Sequence, residues 1–491
     1  MSLRASARGG ARGLRGGASG SALCCMSVAV LGVGLMQAFG DLSNVGLLLV
    51  VAALVLALVA LKAGLRTPGP TWWVVTTVIV AITNLLYPHL GGPFAAHAGA
   101  QTLLTLALAA TAGGACALRP GRAARALVGA ASVSLLALMA VTWTWGVNTI
   151  DVFSAVTGAA GALLHGANPY GPTFSFRLPQ YPWYIAGHLP YGPAVPILAA
   201  PGRLVGDVRV MSVVALGVTF AGLWLLAQQG SLRLDAHRVV ALAIASPFNV
   251  GMVNRSWVEI YIVTGVVLWL ALRATHRRIA TICLAVAMLV DPVTALLVLP
   301  AFIWSRRARV ETVVATIVAA LFIVPFALVT GVGQLIYNII GIQLVIGPWY
   351  RSLTVTAFLW QTWHVALPPL LPVFVVLIAI ALVGWRGRPA RLGDVAVQAA
   401  LVFLSAFLFG KFANFNQYYI GAAMLVTGIA GVGVTFPAGD VALPDVRALR
   451  RLVPRRGTPS RLASAADGAA GVTPCREVRD LTSGPREAST P

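Results

Sequence analysis

Residues 148–193 read NTIDVFSAVTGAAGALLHGANPYGPTFSFRLPQYPWYIAGHLPYGP, a long stretch between apolar runs that concentrates Pro, Tyr, Trp and His around one acid, Asp151. Apolar runs precede it near 22–40, 44–63, 71–88, 98–118 and 124–146, each long enough to cross a ~30 Å hydrocarbon core as a helix. More follow it. With 58% hydrophobic and 10% charged residues over 491 positions, the chain reads as an all-α polytopic membrane protein. The alternation of a β-barrel is absent from it.

The formal charge of +21 does not point to nucleic acid, because the basic residues sit in short clusters between apolar runs and in the two tails. That is the pattern of cytoplasmic loops. Lysine occurs only at Lys62 and Lys411, so the positive charge is almost all arginine, which reads as coding bias before functional choice. Cys24, Cys25, Cys116, Cys283 and Cys475 lack zinc spacing.

Threading crossings between the basic clusters puts both termini inside and residues 148–193 outside. An odd number of crossings must then reach the cluster at Arg233, yet two runs intervene, Tyr191 to Val205 and Val208 to Gln228. The first is short and holds Pro193, Pro196 and Pro201, so it reads as an interfacial or re-entrant helix. Both flanks of 279–304 are basic as well, and Asp291-Pro292 in its middle reads as the tip of a broken hairpin. Hairpin helices at 238–253 and 256–272 and spans near 310–330, 367–384, 394–411 and 417–435 bring the total to about twelve to fourteen membrane segments. The expected organisation is a basic cytoplasmic tail over 1–20, a membrane domain over 21–436 with outer loops at 147–206 and 331–366, and a disordered cytoplasmic tail over 437–491.

Fourteen acids can be sorted singly. Asp235, Glu311 and Asp394 fall in inner turns beside Arg and read as solvated partners; six more lie in the tail. Asp41 and Asp207 read as helix caps. Asp151 heads an amphipathic stretch over 152–164, where it suits both an N-cap and an active-site acid. Glu259 sits in VNRSWVEIY, four residues after Arg255, and is costly in apolar surroundings whether paired or functional. Cations available outside are Arg177, Arg203, Arg209, Arg255, Arg351 and Lys411. Of these Arg351, in GPWYRSLTVTAFLWQTWH, has aromatic neighbours suited to a headgroup or sugar. His165 and His188 lack a clear third ligand, so no metal site is assigned, although Asp151 leaves room for a divalent ion.

Asp151, then HGANPYGP (165–172), then PYGP (190–193) before a run ending in GDVR (206–209), resembles the first outer loop of integral membrane glycosyltransferases of the GT-C fold. The likeness is closest to the actinobacterial polyprenyl-phosphate-mannose-dependent mannosyltransferases. It extends loosely over ASPFNVGMVNRSWVEIY, LAVAMLVDPVTALLVLP and NFNQYY, about residues 140–435. Asp291 departs from it, since relatives often carry Lys before that proline.

The resemblance implies a GT-C-like bundle with interfacial helices in the first outer loop. It implies transfer of mannose, or another pentose or hexose, from a polyprenyl-phosphate donor to a cell-envelope glycan or glycolipid, on the outer face of the plasma membrane. Asp151 takes the role of general base, and Arg351, Arg255 and Lys411 those of phosphate holders. Glu259, Tyr170, Tyr191 and His188 complete the candidate substrate contacts. No cofactor is certain from the resemblance, and a divalent metal is left open. The rival class is a transporter or lipid flippase using Glu259 and Asp291 inside the membrane.

Overall fold

The computed structural model describes residues 19–36, 42–90, 98–143, 151–176, 185–341, 352–365, 367–368, 370–385, 391–411, 413 and 415–435. The chain divides into two units, Met1–Ala442 and Leu443–Pro491. The tail expected over 437–491 lies outside the described residues, as does most of the one expected over 1–20.

In chain order the helices are α1 (Gly20–Met36), α2 (Asn44–Ala63), α3 (Pro70–Ile82), α4 (Ala98–Ala117), α5 (Arg122–Val141), α6 (Asp151–Leu164), α7 (Ala194–Leu204), α8 (Arg209–Gln229), α9 (Ala236–Ala245) and α10 (Phe248–Asn254). There follow α11 (Glu259–Leu272), α12 (Arg277–Val290), α13 (Thr294–Trp304), α14 (Arg306–Thr330), α15 (Val332–Ile336), α16 (Val355–Trp363), α17 (Leu371–Trp385), α18 (Leu392–Leu408) and α19 (Phe415–Ala430). Between α6 and α7, β1 (Phe174–Phe176) pairs antiparallel with β2 (Ile185–Gly187), the one departure from helix among the described elements.

Five helices, α2, α4, α5, α8 and α14, are long and apolar enough to cross a bilayer, and α9 with α10 makes a sixth if that bent pair is one span. The protein is therefore a multi-pass membrane protein. Other apolar helices have 10–17 residues, too short for length alone to assign them.

Breaks inside apolar sequence are tolerated where the freed carbonyls find donors. Pro247 bends α9 from α10 by 58°. Asn249 Nδ2 then donates to Ala243 O (2.9 Å) and Ile244 O (3.1 Å), while Asn84 Nδ2 reaches Ala245 O (3.2 Å). At Asp291-Pro292 the proline cannot donate to the helix ladder, and Asp291 Oδ1 accepts from Val293 N at 2.8 Å as α13 begins.

Several arginines close helix C-termini. Arg238 donates to Cys116 O (2.9 Å) in the last turn of α4 and to Leu118 O (3.2 Å) just after it. Arg309 does the same for Phe302 O (2.9 Å) and Ile303 O (3.1 Å) of α13, and Arg391 reaches Leu65 O at 2.9 Å after α2. A planar fork meets carbonyls that a helix end leaves unpaired. Arginine thus has a structural use here that coding bias does not supply.

Glu311 is the hub of a basic end, which corrects the expectation of a solvated partner. Its side chain is 0% exposed and is met by Arg307 Nε at 2.9 Å, Arg273 Nε at 3.4 Å and Arg277 Nε at 3.7 Å. Trp269 Nε1 donates to it at 2.9 Å. Arg277 opens α12 and Arg307 follows α13, so the α12–α13 stretch leaves and returns at this end. Asp291 stands at the far tip, as the hairpin expectation required.

The same reasoning settles α7. Gly192 N, just before it, donates to Val290 O at the tip of α12 (2.9 Å), and Asp207, just after it, accepts from Trp143 Nε1 at the end of α5 (3.0 Å). Both contacts lie at the end opposite Glu311. With both flanks held there, the 11-residue α7 starts and ends at one end of the bundle. Gly192 must be glycine, because a Cβ there would stand 1.9 Å from Leu289 O.

Removing a partner from a buried charge cluster costs about 3–5 kcal/mol. Glu311→Ala, which removes the acid that Arg273, Arg277 and Arg307 meet, is therefore expected to lower the thermal unfolding midpoint in lipid nanodiscs well below that of wild type. Glu311→Gln, which keeps an acceptor for Trp269, is expected to fall between the two.

Candidate functional site

The end opposite Glu311 holds every described site residue that the sequence singles out. α6 begins at Asp151 and packs along α7. The Asp151 side chain, Arg177, Arg351 and the aromatic pair Trp349 and Tyr350 lie outside the described residues. Lys411 follows α18 half-buried, and burial draws its ammonium below the usual lysine range.

Around α6 and α7 the loops are tied by their own polar groups. Tyr170 is buried, and its hydroxyl donates to Tyr191 O at 2.9 Å. Asn168 Oδ1 accepts from Tyr170 N (3.0 Å) and from Thr330 Oγ1 at the end of α14 (3.1 Å). These contacts hold NPYG and PYGP against each other, so the two motifs quoted from the sequence form one platform. His188 lies just before PYGP, half-buried, with no described partner for Nδ1. Nδ1 of the exposed His165 meets Gly161 O at 2.7 Å. Among the described residues no group of three His, Cys, Asp or Glu side chains is placed to hold a metal ion.

Arg209 is one of the cations the sequence makes available on that side, but its guanidinium is committed. Nε reaches both Asp207 carboxylate oxygens (3.0 and 3.1 Å), Nη2 reaches Oδ2 (2.6 Å), and Nη1 donates to Trp143 O. Its Cζ lies 4.2 Å from the Trp143 ring centroid and 5.1 Å from that of Phe153, in the first turn of α6. Asp207 is accordingly more than a cap, although its Oδ1 does accept from Arg209 N at 2.9 Å. This clasp joins the end of α5, the start of α8 and the start of α6. Burial alone would push the Asp207 carboxyl up; the hydrogen bonds from Arg209 and Trp143 outweigh it and hold the group below the usual range.

Beside the clasp, the chain turns sharply between α10 and α11. Ser256 adopts φ +54°, uncommon for a residue with a Cβ, and Trp257 N donates back to Met252 O at 3.1 Å. The turn is backed by Phe415, whose ring lies 5.0 Å from Phe248 and 5.3 Å from Trp257. Arg255 is half-buried, with its guanidinium 5.1 Å from the Trp257 ring. Glu259, 6% exposed, accepts from Asn416 Nδ2 at 2.5 Å. The spacing of four from Arg255 suggested a local pair, whereas this partner comes from α19.

Asp207, Trp143, Asn416 and Asn254 were not singled out as functional from sequence. Asn416 stood in the quoted NFNQYY turn and Asp207 in GDVR, so the motif strings held them while spacing gave no partner. Compared with models of protein families, with curated proteins and with solved structures, the chain matches none.

A depressed carboxyl pKa contributes stability above the unfolded value, and this is lost as pH falls through the folded one. Wild type is therefore expected to keep the clasp contribution at pH 5 and shed it below about pH 4, near the ordinary aspartate value. Asp207→Asn should lack that acid-dependent step in melting curves taken between pH 7 and 3. Arg209→Ala should cost on the order of 3 kcal/mol at neutral pH.

Proposed function

We propose that the protein is a membrane glycosyltransferase that moves a sugar from a polyprenyl-phosphate donor to a glycan or glycolipid acceptor. The observation that carries this reading is the setting of α6 and α7. Headed by Asp151, they lie against each other at the end remote from the arginine cluster, and an apolar groove of about 410 Å³ opens beside them. Leu163 of α6, Ile197 of α7 and Phe322 and Phe326 of α14 line it. Such a groove suits an isoprenoid chain lying along the bundle, with its phosphate at the polar end.

Arginine enrichment at the Glu311 end supports a cytoplasmic assignment for that end and an extracytoplasmic one for α6 and α7. A site there has no nucleotide supply, which favours a lipid-linked donor. In the proposed chemistry Asp151 accepts the acceptor's hydroxyl proton as the sugar carbon is attacked, and Arg255, Arg351 and Lys411 stabilise the departing phosphate. A GT-C-like bundle of about twelve to fourteen membrane segments, the short apolar helices included, is part of the same proposal.

A positioned base contributes about 10²–10⁴-fold to rate. Purified protein in nanodiscs, given polyprenyl-phosphate mannose and a glycolipid acceptor, is expected to form glycosylated product, and Asp151→Asn to lose activity by that factor while melting like wild type. Full turnover by a folded Asp151→Asn protein would remove the base. Sugar-independent lipid movement in vesicles, without transfer, would favour the flippase class.

A further inference from the structure

At the Glu311 end, two arginines from different helices are aimed by the same atom. Arg277 Nε, at the start of α12, lies 3.7 Å from Glu311 Oε1, and Arg307 Nε, at the start of α14, lies 2.9 Å from it. The two guanidiniums are therefore near neighbours. The Glu311 side chain is 0% exposed, whereas that of Arg277 is 53% exposed and that of Arg307 26%. Each is anchored at its inner edge and reaches the surface. Arg307 also donates to Arg273 O, while among the described residues no hydrogen bond reaches the Arg277 guanidinium.

Arg278 and Arg306, the next residues on each helix, are exposed and make no ion pair among the described residues. From Arg273 to Glu311 the sequence holds six arginines and two acids, and one of those acids, Asp291, stands at the far tip. The charge balance of these turns is strongly positive. Like charges gathered around one carboxylate repel, and an anion on the open side of the cluster relieves that repulsion. A guanidinium already fixed in direction by Glu311 gives up little freedom on meeting it.

The neighbouring residues say what the anion is attached to. Ile282 lies one turn after Arg278 on α12, and Val310, Val313 and Ile317 follow Arg306 at four, seven and eleven positions on α14; all four are exposed. The arginines thus head apolar stripes. Since α14 is long and apolar enough to cross the bilayer, its exposed stripe meets acyl chains. A ligand that places an anion on the arginines and hydrocarbon on the stripes is an acidic phospholipid, whose phosphate oxygens match the planar fork of arginine. We propose that the α11–α12 turn and the start of α14 form a binding site for one such lipid, with its phosphate on Arg277 and Arg278 and its chains along Ile282 and the α14 stripe. This site is independent of the transferase reading.

The full chain in detergent would be titrated with dioleoyl phosphatidylglycerol or dioleoyl phosphatidylcholine, and bound lipid counted by native mass spectrometry, with inorganic phosphate and glycerol 3-phosphate as soluble competitors. One phosphatidylglycerol is expected to bind about tenfold more tightly than phosphatidylcholine, and Arg277→Gln/Arg278→Gln to abolish that preference. Arg122→Gln/Arg125→Gln, which removes two exposed arginines from the start of α5, should leave it unchanged. Arg306→Gln lies outside the Glu311 ion pairs and is expected to weaken phosphatidylglycerol binding about threefold, so it carries the test should the double variant fail to fold. Equal affinity for the two lipids, equal loss in the α5 variant, or no weakening in any folded variant of the site would overturn it. Displacement of phosphatidylglycerol by equimolar phosphate or glycerol 3-phosphate would identify a site for the free anion and overturn the lipid assignment.

Discussion

One buried carboxylate organises the way this chain turns. Glu311 draws Arg273, Arg277 and Arg307 to a single point, and these come from the end of α11, the start of α12 and the start of α14. An unpaired charge in apolar surroundings costs several kcal/mol, so the three turns cannot separate without exposing one. Once they are pinned, α12 and α13 must run out and back, and Asp291 must stand at the opposite end. The platform that carries Tyr191 and Gly192 rests against that tip. The position of the polar end is thus a consequence of the basic one.

Much of this was legible in the sequence, for an identifiable reason. Apolar runs of helix length declare themselves by composition, and the parity of basic clusters constrains which of them return. That argument anticipated the turn at Asp291 without any knowledge of contacts. The same logic had less hold on the bend at Pro247, because the three carbonyls it frees are satisfied by Asn249 and by Asn84, 161 residues away from Ala245. A proline announces a break; which side chain repairs it depends on a neighbouring helix.

Polar partner choice was the part that could not be read. Glu259 lies one turn from Arg255 along the chain, yet its hydrogen bond comes from Asn416, 157 residues on. Glu311 lies beside arginines in sequence and looks solvated until α11 folds over it with Trp269. Spacing reports what shares a face of one helix. It carries no information about which face another helix covers, and in a bundle this large most polar side chains are settled by that second question.

The charges of the polar end divide by what remains available on them. Arg209 has its guanidinium occupied by Asp207 and the Trp143 carbonyl and its faces covered by Trp143 and Phe153, so it holds helices together and has little left for a ligand. Glu259 is the reverse case. One oxygen is fixed by Asn416 and the other is buried with no hydrogen-bond partner among the described residues, although the lowest-energy solution for the fold alone would be an apolar residue there. A chain that spends an arginine on closing its scaffold and holds a buried carboxylate from another helix has given its charges different tasks. The clasp ties the start of α6 to the end of α5 and the start of α8.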